Sequence, residues 1–158
     1  MTEDARFEDA PFTEQPLKLR AETSEDLDVI STLCQDAVVK SGDIRWLKRA
    51  RRLVLLLHRF RWEDQAAAAR AKRPFERVQS VVTISDVSAV KARGIAPDQV
   101  QSVLGLNFEP GEDGAGRLSI ACAGGADLAV EVECLDLTLA DLTQPWEAKS
   151  AAAPSHPD

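Results

Sequence analysis

Tyrosine is absent from this 158-residue chain, and Trp and Phe bring the aromatic content to only 5%. That scarcity excludes ring-rich surfaces of the kind that grip antigens or stack on sugars. Histidine occurs twice, at His58 and at His156 near the C-terminus, so neither an HExxH helix nor a Cys/His cluster is present. The three cysteines, Cys34, Cys122 and Cys134, are odd in number and form no CxxC. A hairpin through Gly124-Gly125 would leave Cys134 roughly 16 Å from the level of Cys122, beyond disulfide reach. Reduced, mostly buried thiols in a cytoplasmic protein are the expectation. The longest apolar run is Leu53 to Leu57, far too short to span a bilayer, so no membrane partner is expected. The N-terminal MTEDARFEDAPFTEQP has no apolar core of a secretory signal.

What is present is charge, unevenly spread. The net charge is −7, which argues against DNA binding by bulk positive charge. Residues 45–77 nevertheless hold eleven Arg and Lys against Glu63, Asp64 and Glu76, a surplus of eight. The remainder therefore carries −15. A hydrophobic content of 44% is that of a chain able to bury a core.

Residues 1–16 and 149–158 read as disordered tails around a single domain at 17–148. Thr23-Ser24-Glu25-Asp26 is a helix start, and Leu27, Ile30, Leu33, Cys34 and Ala37 continue it at helical spacing. Lys40-Ser41-Gly42-Asp43 reads as a turn. Strands are expected at 43–48, 53–62, 78–84, 87–91, 104–109, 117–123 and 128–135, with Ser85-Asp86 as a kink. Residues 100–103 read as a brief turn. Residues 63–74, rich in Ala, read as a short helix or a loop. Thr138-Leu139-Ala140-Asp141 resembles a capping box for one last helical turn. The fold class expected is α+β, mostly β: an antiparallel meander sheet or half-open barrel of seven or eight strands, with an N-terminal helix and a short C-terminal helical turn. A pleckstrin-homology-like barrel is one member of that class.

The strand over 53–62 places Val54, Leu56, His58, Phe60 and Trp62 on one face. Leu53, Leu55, Leu57, Arg59 and Arg61 lie on the other, which turns cationic. On this reading the aromatics and His58 are core, and Arg59 and Arg61 are surface. His58 is then no partner for a Ser or Cys nucleophile, and no GxSxG is present. No GxxxxGK[ST] or GxGxxG cradles a phosphate. Glu109-Pro110-Gly111-Glu112-Asp113-Gly114 is an acidic hairpin turn rather than a calcium loop. Glu131 and Glu133 share a strand face about 7 Å apart and are expected to form a solvated edge, or to pair across strands with Arg59 and Arg61, rather than to act as acid and base. No catalytic residue, metal ligand or cofactor is assigned. Cations interleave with aromatics at Arg45, Trp46, Arg59, Phe60, Arg61 and Trp62, the chemistry of single-strand RNA binding, but the faces do not combine them. The loop cations Arg49, Arg51, Arg52, Arg70, Lys72 and Arg73 are the candidates for contact with an anionic partner.

Five segments carry a resemblance. They are Gln35-Asp36-Ala37-Val38-Val39, Gly42-Asp43-Ile44-Arg45-Trp46-Leu47, Arg59-Phe60-Arg61-Trp62-Glu63, Glu131-Val132-Glu133-Cys134-Leu135 and Pro145-Trp146. Over residues 17–146 the chain resembles the alphaproteobacterial "domain of unknown function 2948" family. The resemblance implies a small, one-domain bacterial cytoplasmic protein with 63–74 as a variable insertion, and it brings no activity or site. Three functions remain in view. The first is a non-enzymatic adaptor that meets another protein through its polarised surface. The second is RNA or polyanion binding through residues 45–77. The third is an enzyme with a dispersed carboxylate and arginine site. The sequence sets no oligomeric state.

Overall fold

Period-two alternation builds most of the described residues, and their one long helix follows the first short strand. The computed structural model describes residues 16–64, 69–70, 76–142 and 146–147. In chain order the elements are β1 (Lys18–Ala21), α1 (Ser24–Leu33), β2 (Val38–Leu47), β3 (Arg52–Phe60) and a 3-10 turn (Trp62–Asp64). After these come β4 (Glu76–Ile84), β5 (Val87–Arg93), β6 (Val100–Pro110), β7 (Gly116–Cys122) and a 3-10 turn (Ala123–Gly125). The last are β8 (Asp127–Val132), β9 (Leu137–Asp141) and the two-residue β10 (Trp146–Glu147). The strands form an antiparallel sheet in the order β1-β9-β4-β3-β2-β6-β7-β8-β5, with β10 against β4. The path is open, four of its eight neighbouring pairs are consecutive in sequence, and its nine strands exceed the seven or eight expected.

Helix α1 follows its sequence signals. The Thr23 side chain accepts the Asp26 N–H at 3.1 Å, and Glu25 and Asp26 occupy the first turn. Leu27 and Ile30 are buried, as is Cys34 at the C-cap. Burying each of the first two contributes roughly 1.5–3 kcal/mol. The helix stops where Asp36 takes φ 65° and gives its N–H to the Val103 carbonyl at 2.8 Å.

Three local expectations are corrected, and one strand is not among those expected. Lys40–Asp43 is no turn but the middle of β2, where pairing with β3 jumps from Val39↔Leu57 to Ile44↔Leu55. Residues 100–103 begin β6, with Gln101 and Val103 buried. The Thr138–Asp141 motif is strand β9, because Leu137 and Leu139 both point into the core at period two. Strand β1, too short to show an alternation, pairs with β9 from Lys18↔Ala140 to Ala21↔Leu137. Residues 69–70 are helical, and the rest of the 65–75 stretch lies outside the described residues. So do the expected tails, apart from Pro16.

The bend at Ser85–Asp86 keeps its partners. Ser85 N–H donates to Asp136 O and Glu133 N–H donates to Asp86 O, both at 2.9 Å. Strands β4 and β5 thus run one after the other along β9 and β8. The core lies inside this sheet, closed by α1. Of the cysteines, all free, Cys34 and Cys122 are buried and Cys134 is exposed. The last departs from the buried position that its strand alternation suggested, because β8 ends at Val132.

Candidate functional site

The β2–β3 hairpin carries the loop cations at its tip. Leu47 pairs with Arg52 as the last rung, and the turn closes with Arg51 N–H on Lys48 O at 3.1 Å. Arg51 adopts φ 58° and is the anchored member of the group. Its carbonyl accepts the Val87 N–H at 2.9 Å, and its guanidinium meets Glu133 at 2.6 Å. The Glu133 hydrogen bond, then its charge, raises the Arg51 pKa. Lys48, Arg49 and Arg52 are exposed and make no ion pair among the described residues. Arg70 is exposed in the helical pair 69–70, while Lys72 and Arg73 lie outside the described residues. The structure therefore brings Arg49, Arg51 and Arg52 together and describes the second expected cluster at Arg70 alone.

Arg59 overturns the expected facing of β3. Leu53, Leu55, Leu57 and Arg59 point inward and are buried, Arg59 at 0% exposure. The run Leu53–Leu57 is apolar at both parities, so alternation alone could not choose a face. The registers of Leu55 with Val82 and Leu53 with Ile84 do choose it, since both β4 residues are core. Every N–H of the Arg59 guanidinium finds an acceptor. Nε and one Nη2 hydrogen reach Asp141 at 3.2 and 3.0 Å. Nη1 and Nη2 reach Glu63 at 2.9 Å each, and Nη1 also reaches the Phe60 carbonyl at 3.1 Å. The Ser80 hydroxyl donates to Asp141 at 2.7 Å, and Leu17 N–H to its other oxygen at 3.3 Å. Burial works against charge on Glu63, but the Arg59 hydrogen bonds, a backbone hydrogen bond and the Arg59 and Arg61 charges together outweigh it and hold the carboxyl below its ordinary range. At Arg59 burial is likewise overcome, by the Glu63 and Asp141 hydrogen bonds together with the two carboxylate charges, and its pKa is raised.

This cluster is closed rather than poised for chemistry. Its donors are spent and it ties β3 to β4, β9 and the chain before β1. Burial pushes the neighbouring Cys34 thiol up to about 12 despite the Arg59 charge, so it is no thiolate nucleophile. Of the two arrangements expected for Glu131 and Glu133, pairing with Arg59 and Arg61 does not occur, and both carboxylates stand at the solvent side. Glu131 meets Arg117 at 2.7 Å and Glu133 meets Arg51, while Arg61 pairs with Glu76.

Phe60, Trp62 and His58 lie away from the core cluster, whereas Trp46 packs against it. Phe60 and Trp62 are half-buried with ring centroids 5.4 Å apart at 54°, and Arg77 lies over Phe60 at 5.8 Å. Trp62 donates its indole N–H to Gln35 O at 2.9 Å, which fixes the ring edge. Burial, then the Arg77 and Lys40 charges, lowers the His58 pKa. Among the described residues, no three His, Cys, Asp or Glu side chains group as metal ligands. No helix among them is long and apolar enough to cross a membrane.

A second feature escaped sequence reading. An open trough of about 540 Å³ lies on the outer face of β5, β8 and β7, lined by Ala89, Lys91, Arg93, Arg117, Ala129 and Glu131. Its residues come from three strands, so no local motif announces it. The signal was the alternation Ala89, Lys91, Arg93, which places two cations on one face of a strand. Arg93 is paired with Asp127 at 2.6 Å and Arg117 with Glu131, whereas Lys91 makes no ion pair among the described residues.

Compared with known families, residues 17–156 match the model described as "Protein of unknown function (DUF2948)". No curated protein and no solved structure matches the chain.

Proposed function

The chain belongs to the DUF2948 family, and from that premise we propose a non-enzymatic protein-interaction domain that docks an acidic segment of another protein on the β2–β3 hairpin. One observation carries this reading. In a chain of net charge −7, Lys48, Arg49 and Arg52 stand exposed and without ion pairs among the described residues, on a turn held rigid by Arg51. A rigid, unpaired cationic tip favours acidic partners at small conformational cost. Stacking on RNA bases is the weaker reading, because the Trp62 indole is held at Gln35 and its ring packs on Phe60. The free thiols support a bacterial cytoplasmic setting. The continuous pairing of β4–β5 with β9–β8 supports a half-open, pleckstrin-homology-like barrel.

The experiment is affinity capture from bacterial lysate with the wild-type chain, Arg49→Glu/Arg52→Glu and Arg49→Lys/Arg52→Lys. A protein retained by wild type and by the Lys variant, and lost with the Glu variant, is the expected result. Equal capture by all three, or nucleic acid as the only enriched material, contradicts the proposal.

A further inference from the structure

We infer that strand β5 receives the acidic segment as an added strand, main chain against its open edge and acidic side chains over the trough. This rests on the reading of an acidic protein partner and specifies where and how that partner lies.

Among the described residues β5 ends the sheet path and pairs with β8 alone. Its seven residues, Val87–Arg93, offer an edge of about 23 Å. Strand alternation sends every second main-chain N–H and C=O away from β8. Val87 already uses that side, giving its N–H to Arg51 O. Beyond the irregularity between Val87 and Ala89, pairing runs unbroken from Ala89↔Glu131 to Arg93↔Asp127. The remaining outward groups form a template of the kind that peptide-binding sheets extend.

The side chains define what fits. Ala89, Lys91 and Arg93 share the outer face with Glu131, Ala129 and Asp127 of β8 and with Arg117, Ser119 and Ala121 of β7. Small residues make the floor; above it Arg93 and Arg117 stand paired with Asp127 and Glu131, and Lys91 stands without an ion pair among the described residues, so three cations face two carboxylates. On the inner side the edge shows Val90, which packs on the core, and Ala92. A complementary strand therefore alternates acidic residues over Lys91 and Arg93 with apolar residues beside Val90. The Arg51–Val87 hydrogen bond sets the hairpin at the head of this lane, so the cations of the tip extend it. A second copy of the chain is disfavoured on the same edge. Joining two β5 strands would place two Lys91 and two Arg93 side chains on one sheet face. RNA would supply phosphates but no partner for the β5 main chain.

The test uses fluorescein-labelled octapeptide (Glu-Val)4, with (Lys-Val)4 and oligouridylate as controls, titrated against the full chain by anisotropy. (Glu-Val)4 is expected to bind and (Lys-Val)4 to fail. Lys91→Glu/Arg93→Glu weakens binding about tenfold or more. Ala92→Pro, which removes one N–H from the edge strand, weakens it about threefold to tenfold, while Ala92→Ser leaves it unchanged. Should Ala92→Pro fail to fold, hydrogen exchange decides: amides of Val90–Arg93 slow on peptide binding to the wild-type chain. Loss of binding on Arg49→Glu/Arg52→Glu, with indifference to the β5 variants and unchanged β5 exchange, overturns strand addition and leaves the hairpin reading intact. Dependence on the β5 variants alone does the reverse. No binding of (Glu-Val)4, tighter binding of oligouridylate, or a dimer joined through β5 also overturns it.

Discussion

Arg59 and Asp141, 82 residues apart in sequence, face each other through two hydrogen bonds of 3.2 and 3.0 Å inside the sheet. The arginine side chain is fully buried and the aspartate 6% exposed. Removing Asp141 strips two of the five buried Arg59 N–H groups of their acceptor and leaves Glu63 as the arginine's remaining counter-ion. Asp141→Ala is expected to lower the unfolding free energy by about 3–5 kcal/mol, read as a fall in the urea midpoint at constant slope. Asp141→Ala also strips the acceptor from the Ser80 hydroxyl and the Leu17 N–H. A midpoint within error of wild type would show that the pair is dispensable.

Acid titration reports the same cluster and His58 separately. The folded pKa of Glu63 lies below its ordinary value of 4.5. Its contribution is present above pH 4.5 and is lost as pH falls through the folded value. The folded pKa of His58 lies below 6.5, so the unfolded chain takes up that proton first. Stability therefore drops as pH falls from 6.5 toward the folded value. Urea midpoints measured from pH 8 to pH 3 should show both declines. Glu63→Gln is expected to flatten the lower one and His58→Gln the upper one.

These two groups also show where sequence reading stopped. Helix α1 was legible because a hydroxyl cap, first-turn acids and three- and four-residue spacing agree. Strands β7 and β8 were legible because glycines bracket clean alternation. Strand β3 was not, since Val54 and Leu56 are as apolar as Leu53 and Leu55, and only its neighbours select a face. Arg59 read as surface because charge normally is. Its partners were hidden too, Glu63 beside an Ala-rich stretch and Asp141 inside an apparent helix cap. The trough needed three strands in register, which no local pattern supplies.

Thiol labelling should resolve the cysteines. Cys134 is exposed, while Cys34 and Cys122 are buried with pKa values raised chiefly by burial. Ellman's reagent is expected to modify one thiol in the native chain and three after unfolding. Cys134→Ser should remove the native phase. The Asp86 carboxylate accepts from the Cys134 thiol at 3.2 Å and raises its pKa, so Asp86→Asn should speed that phase. Two fast native thiols would contradict the burial of Cys34 or Cys122.

Gly116 is required by close approach rather than by backbone angle. A Cβ there would run into the Glu109 carbonyl and the Phe108 ring across the β6–β7 pair. Gly116→Ala is expected to cost about 1–3 kcal/mol, checked by thermal unfolding against Gly42→Ala. A Cβ at Gly42 meets nothing within 4 Å, so that change should be near neutral.

Salt dependence tests the hairpin as an electrostatic docking site most directly. A labelled octaglutamate peptide is titrated against the wild-type chain and against Arg49→Glu/Arg52→Glu at several salt concentrations, with far-ultraviolet dichroism confirming that both remain folded. Exposed loop cations give an affinity that falls as salt rises. The expected result is wild-type binding that weakens with salt, and a loss of roughly tenfold or more in the variant at low salt. Equal affinity of the two proteins at low ionic strength would contradict the assignment of the β2–β3 tip as the site that meets an acidic partner.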